Sequence, residues 1–200
     1  MFNHAENHLK TVDPIIANLI NRYGSCTLTS HNDYFWALCQ AIISQQLSTK
    51  AAETIAKRFL ALYPKEEIAF NPSTILSTPL EKITSVGVSR SKASYIKDLA
   101  EKFDQVFLTQ DFSLLNDEEI ISKITIIKGI GRWTAEMFLI FSLNRLDVLP
   151  TGDLGIKRAT QELYGLDDLP NPKQLSEIAN CWKPYRSIAS WYLWHSIDNK

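Results

Sequence analysis

The stretch Ile127-Lys128-Gly129-Ile130-Gly131-Arg132-Trp133-Thr134 decides the fold that this sequence predicts. A helical pattern of apolar residues stops at two glycines one residue apart, and a new apolar helical pattern follows, which indicates a helix, a tight hairpin and a second helix. Glycines let a backbone approach a phosphate closely, and the amides that begin the second helix point outward at the positive end of its dipole. The stretch is therefore a candidate phosphate-binding hairpin. The alternative is a helix that ends at Gly129 and is followed by an ordinary turn glycine.

Composition places the chain among ordinary globular proteins. It has 200 residues, of which 45% are hydrophobic and 22% charged, which fits one domain or one domain folded as two lobes. Seven glycines and eight prolines are few for this length, so tight turns are scarce and helix is favoured. The formal net charge is −1, so any phosphate binding must be local and not the result of an overall field.

The cysteines and the hydropathy pattern bear on the cellular environment. Cys26, Cys39 and Cys181 form no C-x-x-C pair, which suggests a reducing compartment without disulfides. The longest apolar run, residues 137–141, is far shorter than the roughly 20 residues that cross a bilayer, so we expect no membrane association.

Helix starts recur along the chain. Three of them contain a proline just after a capping residue: Asp13-Pro14, Thr78-Pro79 with Glu81, and Asn171-Pro172 with Gln174. A further capping box, Asn116 with Glu119, precedes isoleucines at 120, 121, 124 and 127, for which a strand is the alternative interpretation. Strict alternation of apolar and polar residues is scarce, so the sequence predicts an all-α fold.

A second stretch, Leu149-Pro150-Thr151-Gly152-Asp153-Leu154-Gly155-Ile156-Lys157-Arg158, follows the hairpin. The two stretches together resemble the signature of the helix-hairpin-helix-GPD superfamily of DNA glycosylases, which includes endonuclease III. Residues 43–48 (Ile-Ser-Gln-Gln-Leu-Ser), 87–93 (Gly-Val-Ser-Arg-Ser-Lys-Ala) and 182–187 (Trp-Lys-Pro-Tyr-Arg-Ser) narrow the resemblance to DNA-3-methyladenine glycosylase II. The resemblance extends from about residue 33 to residue 194.

The resemblance implies a two-lobed helical bundle with the DNA cleft between the lobes. The first lobe would be about residues 33–145, with the hairpin at about 120–142. The second lobe would combine residues 1–32 with 146–200, because the family returns its N-terminal helix to the C-terminal bundle.

Asp153 is the candidate catalytic residue. It follows a Pro-Thr-Gly turn and precedes a helical pattern, so the helix N-terminus should keep it anionic, and by context alone it is an ordinary N-cap. Cleavage of a glycosidic bond passes through a transition state that resembles an oxocarbenium cation, which a carboxylate stabilises. The resemblance implies that Asp153 has this catalytic role.

The base pocket and the reaction type follow from the same resemblance. Trp133 occupies the position of the nucleophilic lysine in relatives that also cut the DNA backbone, which implies a monofunctional enzyme. Trp133 and Trp194 match the family's pocket tryptophans, although a single tryptophan usually packs in a core. Met137 and Leu154 replace aromatic residues of the pocket, so the lining of this pocket departs from the family pattern.

The remaining candidate site residues concern DNA and ions. Gln46 or Leu47 would insert into the gap that the flipped nucleotide leaves. The hairpin contacts to phosphate would come from Gly129, Gly131, Arg132 and Thr134. The resemblance also implies a Na⁺ or K⁺ ion held by the backbone carbonyls of Thr125, Ile127 and Ile130. We expect no required cofactor, and the iron–sulfur cysteines of endonuclease III are absent from the sequence.

These observations lead to one functional hypothesis with three alternatives. We expect a monofunctional DNA glycosylase of base excision repair that hydrolyses the N-glycosidic bond of flipped-out alkylated purines such as 3-methyladenine. Its partner would be double-stranded DNA with damaged bases, and we expect a monomer in the bacterial cytoplasm and nucleoid or in a eukaryotic nucleus. The alternatives are a glycosylase for oxidised or mismatched bases, a non-catalytic helix-hairpin-helix module that only binds DNA, and a helical protein-interaction domain.

Overall fold

A computed structural model describes residues 2–30, 33–63, 70–109 and 111–198. Within these ranges the regular elements are all helices and no strand occurs, so the predicted all-α class is confirmed. The α-helices are α1 Asn3–Val12, α2 Pro14–Tyr23, α3 Tyr34–Ser44, α4 Thr49–Leu60, α5 Pro72–Ser77, α6 Leu80–Thr84, α7 Arg90–Phe107, α8 Asp117–Ile124, α9 Arg132–Phe141, α10 Leu154–Tyr164, α11 Pro172–Ile178 and α12 Arg186–Asp198. Short 3₁₀-helices occupy Phe112–Leu114 and Ala179–Trp182. None of the helices described is long and apolar enough to span a membrane.

Most of the predicted helix starts are confirmed at atomic detail. Asp13 caps α2, and both Asn116 and Asn171 form complete capping boxes at the starts of α8 and α11. The segment that begins at Asp117 is a helix, so the alternative strand at this place is excluded.

The predicted cap at Thr78 is wrong. α6 begins at Leu80 with Pro79 before it and no side-chain cap, while Thr78 ends the preceding helix α5. The Thr78 hydroxyl donates to the carbonyl of Thr74, at 2.7 Å, and therefore closes α5 instead of opening α6.

The chain divides into two compact units. The continuous unit is His31–Phe138, and the split unit combines Met1–Ser30 with Leu139–Lys200. The division falls inside α9, whereas the change of lobe expected at about residue 145 lies beyond the end of that helix.

In the split unit, buried carboxylates tie the first helices to the last ones. Oδ1 of Asp13 accepts hydrogen bonds from the amides of Ile15 and Ile16, and Oδ2 accepts from the Tyr164 hydroxyl and the indole of fully buried Trp182. A buried carboxylate with four donors is compensated for the water it has lost. This one side chain therefore joins α2 to α10 and to the 3₁₀-helix before α12.

The continuous unit is built around α7, which packs against α3, α5 and α6. Edge-to-face aromatic pairs fill its core, for example Phe35 with Phe103 and Tyr34 with Phe138. The same unit contains two hairpins, at residues 86–93 and 128–135.

Those two hairpins share a sequence pattern and a backbone conformation. Residues 86–93 and 128–135 both contain a glycine, an apolar residue, an arginine that begins a helix and, three residues later, a buried alanine. Gly87 has φ +99° and Gly129 has φ +83°, a conformation that residues with a Cβ adopt only with strain. The hairpin predicted at residues 127–134 therefore has a structural counterpart earlier in the same unit.

We predict that Asp13→Ala lowers the free energy of unfolding by about 3 kcal/mol or more, because it leaves four donors without their acceptor. The matched control is Asp33→Ala, which removes an exposed cap of α3 and should cost about 1 kcal/mol. Urea unfolding followed by circular dichroism measures both values, and equal losses would contradict the importance assigned to the buried network.

Candidate functional site

The two glycines of the hairpin have different roles. A Cβ at Gly129 would lie 2.3 Å from Cδ2 of Tyr95, so the backbone at this position lies directly on the ring. A Cβ at Gly131 would have no atom within 4 Å, so packing does not require a glycine there. Since α9 begins at the next residue, Gly131 leaves the backbone open at a helix N-terminus, where an anion binds favourably.

Asp98 of α7 holds the backbone that leads into the turn of the hairpin. Its Oδ2 accepts the amide of Lys128 at 2.8 Å and the ammonium of Lys102 at 2.8 Å. Burial by itself would raise the pKa of the Asp98 carboxyl, but these hydrogen bonds outweigh it and lower the pKa below its ordinary value. The carboxylate is therefore anionic at neutral pH and fixes the backbone before Gly129.

Arg132 already has two acidic partners. Its guanidinium forms a bidentate ion pair with Glu118 of α8, and its Nε lies 3.1 Å from Oε1 of buried Glu136. The hydrogen bond from Arg132 lowers the pKa of the Glu118 carboxyl. A DNA phosphate at this place would have to share or replace Glu118, which is exposed, as an acceptor.

The first turns of α9 present one exposed aromatic residue. Trp133 is 47% exposed, and Met137, four residues later and on the same helix face, is half-buried. Thr134 is only 5% exposed, so its hydroxyl offers little surface to a phosphate.

The turn after α3 is joined to the hairpin. The side-chain amide of Gln45 donates to the carbonyl of Gly129 at 2.7 Å. The next residue, Gln46, has φ +57°, and Leu47 is 39% exposed. Both candidate insertion residues, Gln46 and Leu47, thus directly follow a side chain that contacts the candidate phosphate-binding hairpin.

The residues proposed for a monovalent cation lie between α8 and α9. Thr125 ends α8, and the carbonyl of Ile127 accepts the amide of Ile130 at 3.1 Å. This bond leaves the second lone pair of the Ile127 oxygen for an ion. The cation site stays a prediction.

Asp153 lies in the split unit at the start of α10. It is 8% exposed, and its Oδ1 accepts the amide of Ile156 at 2.8 Å and the indole N–H of Trp194 at 3.0 Å. A Cβ at Gly155 would lie 3.0 Å from this oxygen and 3.4 Å from Cδ1 of Trp194, so a larger residue would disturb the pair. The carboxylate is therefore oriented by two donors on two helices.

Trp194 and Leu154 are the two candidate pocket residues of the split unit. The indole ring of Trp194 packs against Phe141 with centroids 5.8 Å apart, and its N–H is engaged with Asp153. Leu154, the first residue of α10, is 48% exposed. The geometry thus gives Trp194 an orienting role in addition to the pocket role that the resemblance implies.

Sequence reasoning missed four residues that shape the hairpin or the turn after α3: Gln45, Lys92, Tyr95 and Asp98. The spacing of the last three places them on one face of α7, a signal that was available in the sequence. The sequence gives no sign of their hydrogen-bond and packing partners, because those partners lie far away along the chain. Among the described residues, no three His, Cys, Asp or Glu side chains come together as a metal site.

Comparison with known proteins gives a family match over most of the chain. Residues 39–184 match the model of the HhH-GPD superfamily of base excision DNA repair proteins. An alkylbase DNA glycosidase-like protein of Schizosaccharomyces pombe is 33% identical, over 96% of this chain and 92% of the relative. DNA-3-methyladenine glycosylase 1 of the same organism is 34% identical, over 95% of this chain and 85% of the relative.

A solved structure extends this similarity to three dimensions. The 3-methyladenine DNA glycosylase of Schizosaccharomyces pombe, determined in complex with abasic DNA, superimposes with a TM-score of 0.86. The two chains are 33% identical, and the match covers 98% of this chain and 97% of the other.

We predict that Gly129→Ala lowers the free energy of unfolding by about 3 kcal/mol or more, because it combines a positive φ with a collision against Tyr95. Gly131→Ala, the matched control, should cost about 1 kcal/mol or less, since only the helix start is affected. Chemical denaturation of both variants measures the difference. A loss of the same size in both would mean that the contact with Tyr95 does not hold the hairpin.

Proposed function

Because the chain belongs to the HhH-GPD superfamily of base excision DNA repair proteins, we propose that it is a monofunctional DNA glycosylase for alkylated purines such as 3-methyladenine. The observation that carries this proposal is the Asp153 carboxylate, held by the amide of Ile156 and the indole of Trp194. The protein would be located where its DNA substrate is, in the nucleoid of a bacterium or the nucleus of a eukaryote.

The proposed reaction is the hydrolysis of the bond between the base and C1′ of the sugar. The base leaves with the electron pair of that bond, and the sugar becomes an oxocarbenium-like cation. The Asp153 carboxylate stabilises this cation and accepts a proton from the water molecule that adds to C1′. A carboxylate fixed before the reaction stabilises the developing charge without reorganising at that moment.

The nature of the leaving group supports a simple catalytic apparatus. An alkylated purine with a positive charge becomes neutral when it leaves, so it needs no general acid to protonate it first. Such a cation is also attracted to the face of an aromatic ring. We assign this contact to Trp133, whose indole is 47% exposed. The reaction that we propose uses water and requires no cofactor.

We propose that the protein binds DNA locally, through the hairpin. The amides at the start of α9 and the open backbone at Gly131 offer donors for one phosphate, and Arg132 offers a guanidinium. This local arrangement suits a protein whose net charge is −1. Gln46 and Leu47 are the candidates for insertion into the duplex.

We predict that Asp153→Asn lowers the release of free bases from methylated duplex DNA at least about a hundredfold, since the lost charge acts on the transition state. The amide oxygen of Asn can still accept from Ile156 and Trp194, so the fold and the binding of abasic duplex should be retained within a few-fold. Chromatography of the released bases measures excision, and fluorescence anisotropy measures binding.

The control for this prediction is Asp168→Asn, which makes the same charge change at an exposed residue and should leave excision unchanged. Near-normal excision by the Asp153 variant would refute the catalytic assignment. Absence of any released base with the wild-type protein would refute the proposed function.

A second prediction concerns Trp133, which lies where a lysine would be needed for cleavage of the DNA backbone. The wild-type protein should form no borohydride-trappable adduct, because that adduct requires an amine joined to C1′ as a Schiff base. Trp133→Ala should weaken excision by the equivalent of about 1 to 3 kcal/mol, the value of one base–aromatic contact, and affect abasic duplex binding less. Gel analysis after borohydride treatment and single-turnover kinetics test both parts.

Equal losses on both substrates would make Trp133 a structural support of the hairpin and not a base contact. A trapped adduct with the wild-type protein would contradict the monofunctional mechanism.

A further inference from the structure

The C-terminal end of α3 is capped by a lysine from another helix. The ammonium of Lys92, on α7, donates to the carbonyl of Ile43 at 2.8 Å and to that of Gln45 at 2.7 Å. The last carbonyls of a helix lack hydrogen-bond donors within the helix and lie at the negative end of its dipole. An ammonium group there donates the missing hydrogen bonds and balances the negative charge of the dipole. Lys92 is half-buried, and this burial lowers the pKa of its ammonium below the ordinary value.

The turn that Lys92 caps is strained and needs support from outside. Gln46 has φ +57°, a conformation that a residue with a Cβ adopts rarely. The amide of Leu47 donates to the carbonyl of Ser44 at 3.2 Å, which closes the turn locally. Lys92 binds the carbonyls on either side of Ser44, so it holds the chain just before the strained residue.

The same face of α7 holds the hairpin. Tyr95 lies under Gly129, and Asp98 accepts the amide of Lys128. These two residues and Lys92 are spaced three apart, so they succeed one another along one side of the helix. Gln45 connects the turn after α3 directly to the hairpin, since its side-chain amide donates to the carbonyl of Gly129.

We infer that this face of α7 sets the distance between the turn after α3 and the hairpin, and that Lys92 is a positioning residue for insertion into DNA. The inference rests on the proposed function and adds a residue to it. The hairpin grips the phosphate, the turn presents Gln46 and Leu47, and Lys92 keeps the turn where its side chains replace the flipped nucleotide. Loss of Lys92 should therefore impair the opening of a base pair and leave bond cleavage intact.

The chain offers a matched control on the same helix. Lys97 donates its ammonium to the carbonyls of Leu76 and Thr78, at the end of α5. Burial lowers the pKa of this lysine as well. Lys97 thus makes the same kind of cap as Lys92, but its hydrogen bonds within the described part of the chain go to the end of α5 and not to the turn after α3 or the hairpin.

The experiment compares Lys92→Met with Lys97→Met in the full chain, after thermal unfolding has shown that both variants fold. Each excises 7-methylguanine under single-turnover conditions from two duplexes, one with the lesion paired to cytosine and one with the lesion opposite an abasic-site analogue. The second duplex has no base pair to break, so it reduces the need for insertion.

We expect Lys92→Met to slow excision from the paired duplex about tenfold or more, the effect of losing two hydrogen bonds from a charged group. On the unpaired lesion the loss should be about threefold or less, and Lys97→Met should stay within about twofold of wild type on both substrates. Equal losses of Lys92→Met on the two duplexes, or the same substrate dependence in Lys97→Met, would overturn the inference.

A second readout separates this inference from the proposed function. 2-Aminopurine next to an abasic site brightens when a side chain inserts and the neighbouring base unstacks, and no catalysis is needed. Lys92→Met should reduce this increase at saturating protein, whereas Lys97→Met should not. If the wild-type protein releases no methylated base, the proposed function fails, and an undiminished fluorescence increase in Lys92→Met would independently refute the role of Lys92.

Discussion

The contact between the backbone of Gly129 and the ring of Tyr95 is the constraint on which the hairpin depends. Only a residue without a Cβ fits there, because the ring occupies the space that a side chain would need. Once the backbone lies on α7, the amide of Lys128 reaches Asp98 and the carbonyl of Gly129 reaches Gln45. One close approach thus sets the position of two neighbouring hydrogen-bonding groups just before the start of α9.

Electrostatics in this chain are local. With a net charge of −1 the protein has no general attraction for a polyanion, so the DNA binding that we propose would come from a helix N-terminus and a few side chains. The guanidinium of Arg132 is shared between Glu118 and Glu136, and both acids restrain it before any phosphate arrives. In the proposed complex, a phosphate that replaced the exposed Glu118 carboxylate would keep Arg132 paired with an anion, so the exchange would cost little charge interaction.

The split unit contains two aspartates in closely similar surroundings. Asp13 and Asp153 each cap a helix, are each buried, and each accept a hydrogen bond from a tryptophan indole. Asp13 also binds the hydroxyl of Tyr164 and joins three helices. Local geometry therefore assigns both residues a structural role, and the catalytic proposal for Asp153 rests in addition on its place in the family signature.

The sequence by itself determined the helices whose starts are encoded in neighbouring residues, such as the capping boxes at Asn116 and Asn171, and it located the hairpin through two glycines. These features depend on contacts between residues within about one helical turn of each other, so they can be recognised from a short stretch of sequence. Only the tertiary structure decided the rest: Thr78 closes a helix, and the Gly129 carbonyl and the Lys128 amide meet partners 84 and 30 residues away. In the sequence, Lys92 cannot be distinguished from a solvated lysine on an amphipathic helix. Its role depends on the carbonyls at the end of α3, and hydrogen-bond partners so distant in sequence produce no recognisable sequence pattern.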